Sequence, residues 1–273
     1  MTELQLKLLD MMDFFHKMCV KNHLKYYVVG GTALGAARHK GFIPWDDDID
    51  VGMPRPDYEK LKKIASEINT DKYCYEFPGE NEDFAYPFGK LYNTETTLVE
   101  HNRYNTKRGI FIDIFPLDGS GNTMEESKKN FKKIDRINNW LISKTCAVRK
   151  GRKLYKNLAV LCMKCIPDTV LNPQKLLLNI SRESSRLNYE DCVYVANFVG
   201  NWHEKEISEK EWFGSPIECE FDGVKVYRPE KIEKYLTAVY GDWKTPPPLE
   251  KQVTHHDYLY MDLNKSYKNK ENC

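Results

Sequence analysis

The chain has 273 residues, 41% of them hydrophobic, with 41 basic against 40 acidic side chains and a net charge of +1. That is enough apolar material for one large domain, or a domain with a sizeable subdomain. The near-zero charge excludes a global attraction to nucleic acid, so any electrostatic function is local. No apolar run of about 18 residues exists to span a membrane, and "MTELQLKLLD" lacks the basic-then-apolar order of a secretory signal.

Leu4, Leu8, Met11, Met12, Phe15 and Cys19 recur at helical spacing and predict an amphipathic helix over 3–23. "YYVV" (26–29) reads as a short strand ending in Gly30-Gly31, and "TALGAARHK" as a short helix that the Thr32 hydroxyl can cap. Strand character returns over 48–53; Pro54 and Pro56 stop it, and Asp57 begins the helix "YEKLKKIASEI". "GKLY" (89–92), "TTLV" (96–99) and "GIFIDIF" (109–115) are further strands. From 123 to 188 the pattern is helical, and its later part is basic. "ECEFDGVKVY" (218–227) alternates around Asp222-Gly223, a two-residue hairpin signal, and "PEKIEKYLTAVYGDW" is a helix begun by Pro229 and broken at Gly241. "KSYKNKENC" reads as a frayed polar tail. Eight scattered cysteines fit free thiols in a reducing cytoplasm. Cys162 and Cys165 form a C-x-x-C without the second pair that zinc needs, and read as small residues on one helical face. The fold class is α/β (α+β), with mostly helical additions behind the first half.

In "GFIPWDDDIDVGMP" (41–54) four aspartates fill five positions. If the segment is extended, Asp46, Asp48 and Asp50 share one face and Asp47, Ile49 and Val51 the other. A hard divalent cation resolves the repulsion on the carboxylate face. An EF-hand is excluded: counting from Asp46, position six is Val51 where glycine is needed, position twelve is Asp57, and Pro54 and Pro56 interrupt the loop. The strand-to-helix turn Gly30-Gly31-Thr32 can offer backbone N–H groups to a phosphate. Asp113 interrupts the apolar run "IFIDIF", which is costly unless the charge is paired or bound to metal, so it is a third carboxylate for the same cation. Asp118 in "FPLDG" reads as a turn residue.

This order, strand–Gly-Gly-Thr–helix, then Asp-Ile-Asp-Val, then a later carboxylate on another strand, resembles the nucleotidyltransferase superfamily. "GGTALGAARHKGFIPWDDDIDVGMPRPDY", "GIFIDIFPLDG" and "YGDWKTPPP" followed by His255-His256 resemble the LicD family, phosphocholine transferases related to fukutin and fukutin-related protein. The resemblance is dense over 26–118 and returns at 226–256. It implies a nucleotidyltransferase-like mixed β-sheet core flanked by helices over 1–120; the region 121–215 carries no motif of the family and reads from its pattern as mainly helical and acceptor- or membrane-facing, and 216–273 as a C-terminal hairpin, helix and tail packing on the core. It also implies transfer of phosphocholine, or a related phospho-alcohol, from CDP-choline or another CDP-alcohol to a hydroxyl of a cell-surface glycan precursor, with Mg²⁺ or Mn²⁺ and release of CMP.

Asp48, Asp50 and Asp113 are then the catalytic carboxylates and metal ligands, with Asp46 as a further ligand. Gly30, Gly31, Thr32, Arg38 and Lys90 bind the nucleotide or its phosphates, and His255 and His256 contact substrate. Tyr240, Asp242 and Trp243 lock the C-terminal lobe onto the core. Three alternatives stay open: nucleotidyl transfer to a small molecule, transfer of ribitol phosphate, glycerol phosphate or phosphoethanolamine, and a non-enzymatic metal-binding module. "RKGRKLYKNLAVLCMKCIPDTVLNPQKLLL" reads either as core helices with a solvated basic face, or as a patch on an anionic membrane surface reaching a lipid-linked glycan. The expected location is cytoplasmic, peripheral on the inner membrane face.

Overall fold

A computed structural model of the protein describes residues 1–148, 153–254 and 258–268. Helix α1 (Glu3–Lys21) opens with a capping box, Thr2 and Gln5 each satisfying the other's backbone N–H, and buries the apolar stripe read from its spacing. Strand β1 (Tyr27–Val28) leads into α2 (Gly30–Arg38), whose N-cap is Val29, so Thr32 lies inside the helix and does not cap it. Strand β2 (Asp50–Pro54) begins two residues later than expected and leaves Asp46–Ile49 as a loop; α3 (Arg55–Ile68) follows at once.

Strands β3 (Tyr73–Glu76), β4 (Gly89–Asn93), β5 (Thr97–Glu100), β6 (Lys107–Arg108) and β7 (Phe111–Gly121) complete the first half. The helical stretch resolves into α4 (Met124–Thr145), α5 (Leu154–Cys165) and α6 (Pro173–Ser184), the last capped by Asn172 with proline at its first position. Short elements β8 (Tyr194–Ala196), β9 (Ile207–Glu209) and α7 (Lys210–Phe213) precede the hairpin β10 (Ile217–Phe221) and β11 (Val224–Arg228). The chain then forms α8 (Ile232–Tyr240), which starts three residues after Pro229, and β12 (Tyr258–Asp262).

The main sheet runs β1-β2-β7-β4-β3, with β8 and β9 joined to the far half of β7. Only β2 and β7 pair in parallel, so the sheet is mixed, as expected. Eleven-residue β7 is its spine. The pairing with β4 ends at Ile114 and that with β8 begins at Asp118, so Pro116 sits where that side of the strand has no partner to bond. Asp118 is not a turn residue: it lies inside β7, 1% exposed, and accepts both Nε and Nη2 of Arg55 at 2.6 and 2.7 Å.

The principal core packs α1, α2 and α3 against this sheet. A second core joins Phe131, Ile134 and Leu141 of α4 to Leu176, Leu177 and Ile180 of α6. Helix α5 belongs to neither: Val160 is its one buried residue. The tail is docked as far as it is described. Strand β12 pairs with β5, Tyr267 N donates to Thr96 O (3.0 Å), and Thr97 Oγ1 donates to Lys265 O (2.7 Å). Among the described residues the seven cysteines are free, and no helix is long and apolar enough to cross a membrane.

Candidate active site

Strand register brings the charges together. Asp50 on β2 stands opposite Asp113 on β7, Asp113 opposite Lys90 on β4, and Lys90 opposite Glu76 on β3. Residues directly opposite across strands project from the same face, so these four form one row. Glu76 is matched by Arg108, 2.9 Å from Nε to Oε2. Lys90, 1% exposed, has Nζ 2.9 Å from Asp113 Oδ1 and 3.5 Å from Glu100 Oε1, roofed by the Phe111 and Tyr86 rings. The contact with Asp113 is one of charge, since Oδ1 has no partner at hydrogen-bonding angles. The row ends in the like-charged neighbours Asp50 and Asp113. Burial, then the charges of Asp48, Asp113 and Asp46, push the Asp50 carboxyl well above the usual range. Burial also raises Asp113, to about 6, although Lys90 offsets part of the effect.

The glycine turn explains how carboxylates fit here. Gly30 has φ +55°, and a Cβ on it would lie 3.1 Å from Asp50 Oδ2; one on Gly31 would lie 2.8 Å from Asp46 Oδ2. Both carboxylates therefore rest against the first turn of α2, at the positive end of its dipole. Thr32 Oγ1 accepts the Asp50 backbone N–H at 2.8 Å and sets where β2 begins. The Gly30 N–H is taken by Tyr235 Oη at 3.0 Å.

The aspartate loop does not alternate as an extended strand would. Asp46, Asp47 and Asp48 each bring a carboxylate oxygen within 4.8 Å of the others, so Asp47 is not turned away from the cluster. Thr254 Oγ1 donates to Asp47 Oδ2 at 2.6 Å. Gln5 Nε2 holds the Asp46 carbonyl at 2.9 Å, and Asp222, at the hairpin tip, accepts the Phe42 N–H at 2.8 Å.

Asp48, Asp50 and Asp113 open on one cavity of about 330 Å³, walled by Tyr86, Phe88, Phe115 and Tyr258 and floored by Glu100. Helix α4 closes it with Asn138, Leu141, Ile142 and Thr145. An all-oxygen set with surplus negative charge suits a hard divalent cation. Among the described residues, Asp46, Asp47 and Asp48 are the trio whose carboxylate oxygens lie close enough to share one, and Asp50 and Asp113 line the cavity beside Asp48.

The other sequence candidates scatter. Lys90, read as a phosphate contact, is spent on the carboxylate row. Arg38 lies at the far end of α2 and donates Nη1 to the Trp243 carbonyl at 3.0 Å, fastening the C-terminal segment to the core. Trp243 is buried as expected, and Tyr240 packs edge-on against Trp202, but Asp242 is exposed and locks nothing into the core. His255 and His256 lie outside the described residues; Thr254 before them reaches Asp47, and Tyr258 after them lines the cavity. Sequence reasoning missed Tyr235 and Glu206. Glu206 is 8% exposed and raised to about 7 by burial, and its charge bears on both Asp50 and Tyr235. Glu206 sits in the polar run "HEKE" and Tyr235 is one of 17 tyrosines, so nothing local marks either.

Comparison with known proteins bears on this arrangement. The profile of a family described as LicD/FKTN/FKRP, nucleotidyltransferase domain, matches residues 23–142, which contain the whole carboxylate row. The chain is 30% identical over 258 residues to the lipopolysaccharide cholinephosphotransferase LicD of Haemophilus influenzae, covering 93% of this chain and 95% of that one. Over 41 residues it is 42% identical to the ribitol 5-phosphate transferase FKRP of Homo sapiens and that of Mus musculus, 15% of this chain and 8% of each of those. With likeness to a LicD protein running through nearly the full length of both chains, this protein belongs to the LicD family.

Proposed function

We propose that the protein transfers a phospho-alcohol, phosphocholine in the first instance, from a CDP-linked donor to a hydroxyl of a glycan, releasing CMP. The observation that carries this is the side-by-side placement of Asp50 and Asp113, with Asp48, in the lining of one cavity. Full-length similarity to a cholinephosphotransferase, and local similarity to a ribitol phosphate transferase, support a phospho-alcohol as the group moved.

Asp48, Asp50 and Asp113 would hold Mg²⁺ or Mn²⁺, which supplies counter-charge to the donor diphosphate and to the departing CMP. The oxygen of the acceptor hydroxyl bonds to the phosphorus that bears the alcohol. The bond from that phosphorus to the bridging oxygen breaks, and the oxygen leaves with CMP. Asp113, kept in place by Lys90, takes the hydroxyl proton. Thr32 fixes Asp50 through its backbone, and the N-terminal turn of α2 favours negative charge beside Gly31. The rings of Tyr86, Phe88, Phe115 and Tyr258 above Glu100 suit a methylated cation such as choline.

Incubating the protein and Mg²⁺ with a panel of CDP-alcohols and a glycan acceptor tests the reading. CMP released with CDP-choline, together with phosphocholine on the acceptor, is the expected result. Pyrophosphate formed from a nucleoside triphosphate, with no CMP from any CDP-alcohol, would replace it by nucleotidyl transfer.

A further inference from the structure

Helix α5 turns its apolar side outward. Leu154, Leu158 and Leu161 are 85%, 58% and 49% exposed, and Cys162 and Cys165 are exposed as well. Their spacing of four, seven, eight and eleven residues from Leu154 puts all five on one stripe of the helix. Tyr155 borders the stripe at 63% exposure. The buried Val160 faces elsewhere, so the helix rests on the body by another side. An apolar stripe held in water marks a surface that meets an apolar partner.

The charge pattern says which partner. From Ile137 to Pro167 there are seven basic residues and no acidic one. Lys153, at the N-cap of α5, and Lys156 and Lys164 on it are exposed; Lys144 is buried, pairs with Asp168 at 3.0 Å and fastens the end of α5, donating Nζ to the carbonyls of Met163 (3.1 Å) and Ile166. Two copies meeting through this stripe would bring like charges together, whereas an anionic bilayer offers hydrocarbon to the leucines and phosphates to the lysines.

We propose that α5 is a membrane-seating helix, which lies in the interface of an anionic bilayer with Leu154, Leu158 and Leu161 inserted and its lysines at headgroup level. Its neighbour α4 lines the catalytic cavity through Leu141, Ile142 and Thr145, so seating α5 brings the cavity beside the lipid surface, where a lipid-linked hydroxyl would be presented. The attachment does not depend on the transfer chemistry, and it can be measured without substrate.

The test is co-sedimentation of the whole protein with phosphatidylcholine vesicles, with and without phosphatidylglycerol, at low and high salt. The protein should pellet with the phosphatidylglycerol vesicles, less so as salt rises. The double variant Leu158→Asp/Leu161→Asp should lower that partition by at least about tenfold, with unchanged melting and unchanged turnover of a water-soluble acceptor. Leu161→Trp should show a blue-shifted emission on adding the same vesicles. Pelleting that ignores lipid charge, a double variant that pellets like the parent, or a concentration-dependent dimer dissolved by that variant would each overturn the proposal.

Discussion

Asp50 and Asp113 stand side by side below the surface, while Leu154, Leu158 and Leu161 stand out from it. Both regions invert the usual partition of polar and apolar groups, and both inversions cost free energy in the free protein. They differ in what keeps them in place. The carboxylates are enforced from several sides, by strand register, the Lys90 ammonium, Thr32 Oγ1 and the glycine turn. The leucines stand on a helix whose one buried residue is Val160 and whose end is gripped by Lys144. A costly arrangement that chemistry needs at fixed distances is built into the sheet. One that needs only to meet a deformable surface is hung from the body on a single helix.

The largest effect should come from the enforced region. Asp50→Asn should lower turnover of the donor by about a thousandfold or more, because it removes charge aimed at the reacting phosphate. Its melting temperature should not fall, because the substitution also relieves repulsion between buried carboxylates; a variant that unfolds would make Asp50 a structural residue instead. Asp118→Ala reverses this pattern. It takes away the buried carboxylate that holds Arg55 Nε and Nη2, leaving the guanidinium only the half-exposed Glu59 on Nη1, and should cost about 3–5 kcal/mol of stability in denaturant titrations. Leu177→Ala, in the second core, should cost about 2–5 kcal/mol, whereas Leu158→Ala on α5 should stay within about 0.5 kcal/mol. Equal losses at the two leucines would mean that α5 is packed after all.

The smallest effect depends on pH. The Glu206 carboxyl is held near 7 in the folded protein against 4.5 for an ordinary glutamate, so the folded state binds its proton more tightly. Its contribution to stability is therefore whole below about pH 4.5 and is lost as pH rises through 7. Glu206→Gln should match the parent in acid and exceed it by about 1–3 kcal/mol near pH 8. Thermal melts of both proteins across that range give the answer, and a constant gap would remove Glu206 as the source.

The same contrast governs what could be read before folding. The adjacency of Asp50 and Asp113 was legible because a charge in an apolar strand is a local anomaly, visible in "DIDV" and "IFIDIF", whereas Asp48 lies in the loop before β2. The mixed sheet was implied by the resemblance to the LicD family rather than by the strands themselves. Asp47 was misjudged because the alternation of a strand was extended into a loop pinned by Gln5 and Asp222, residues distant in sequence. Lys90 was found, but its burial under Phe111 and its duty to Asp113 depend on register, which no short stretch encodes. Strands β3, β8, β9 and β12 are three to five residues long, too short to carry a pattern, and they form where a neighbour offers an edge. Whether the leucines near α5 were core or surface was undecidable by pattern, since Leu176 and Leu177 face inward while Leu158 and Leu161 do not.

Tyr258 closes the cavity from a position 145 residues after Asp113, on a strand that pairs with β5. A ribosome adding about 5–20 residues per second reaches it on the order of ten seconds after Asp113 on β7 is made. During that interval Tyr86, Phe88 and Phe115 are present, but the Tyr258 side of the cavity is missing. The nascent chain can thus pair β2, β4 and β7 before its cavity is closed, and the last wall of the site arrives late in synthesis.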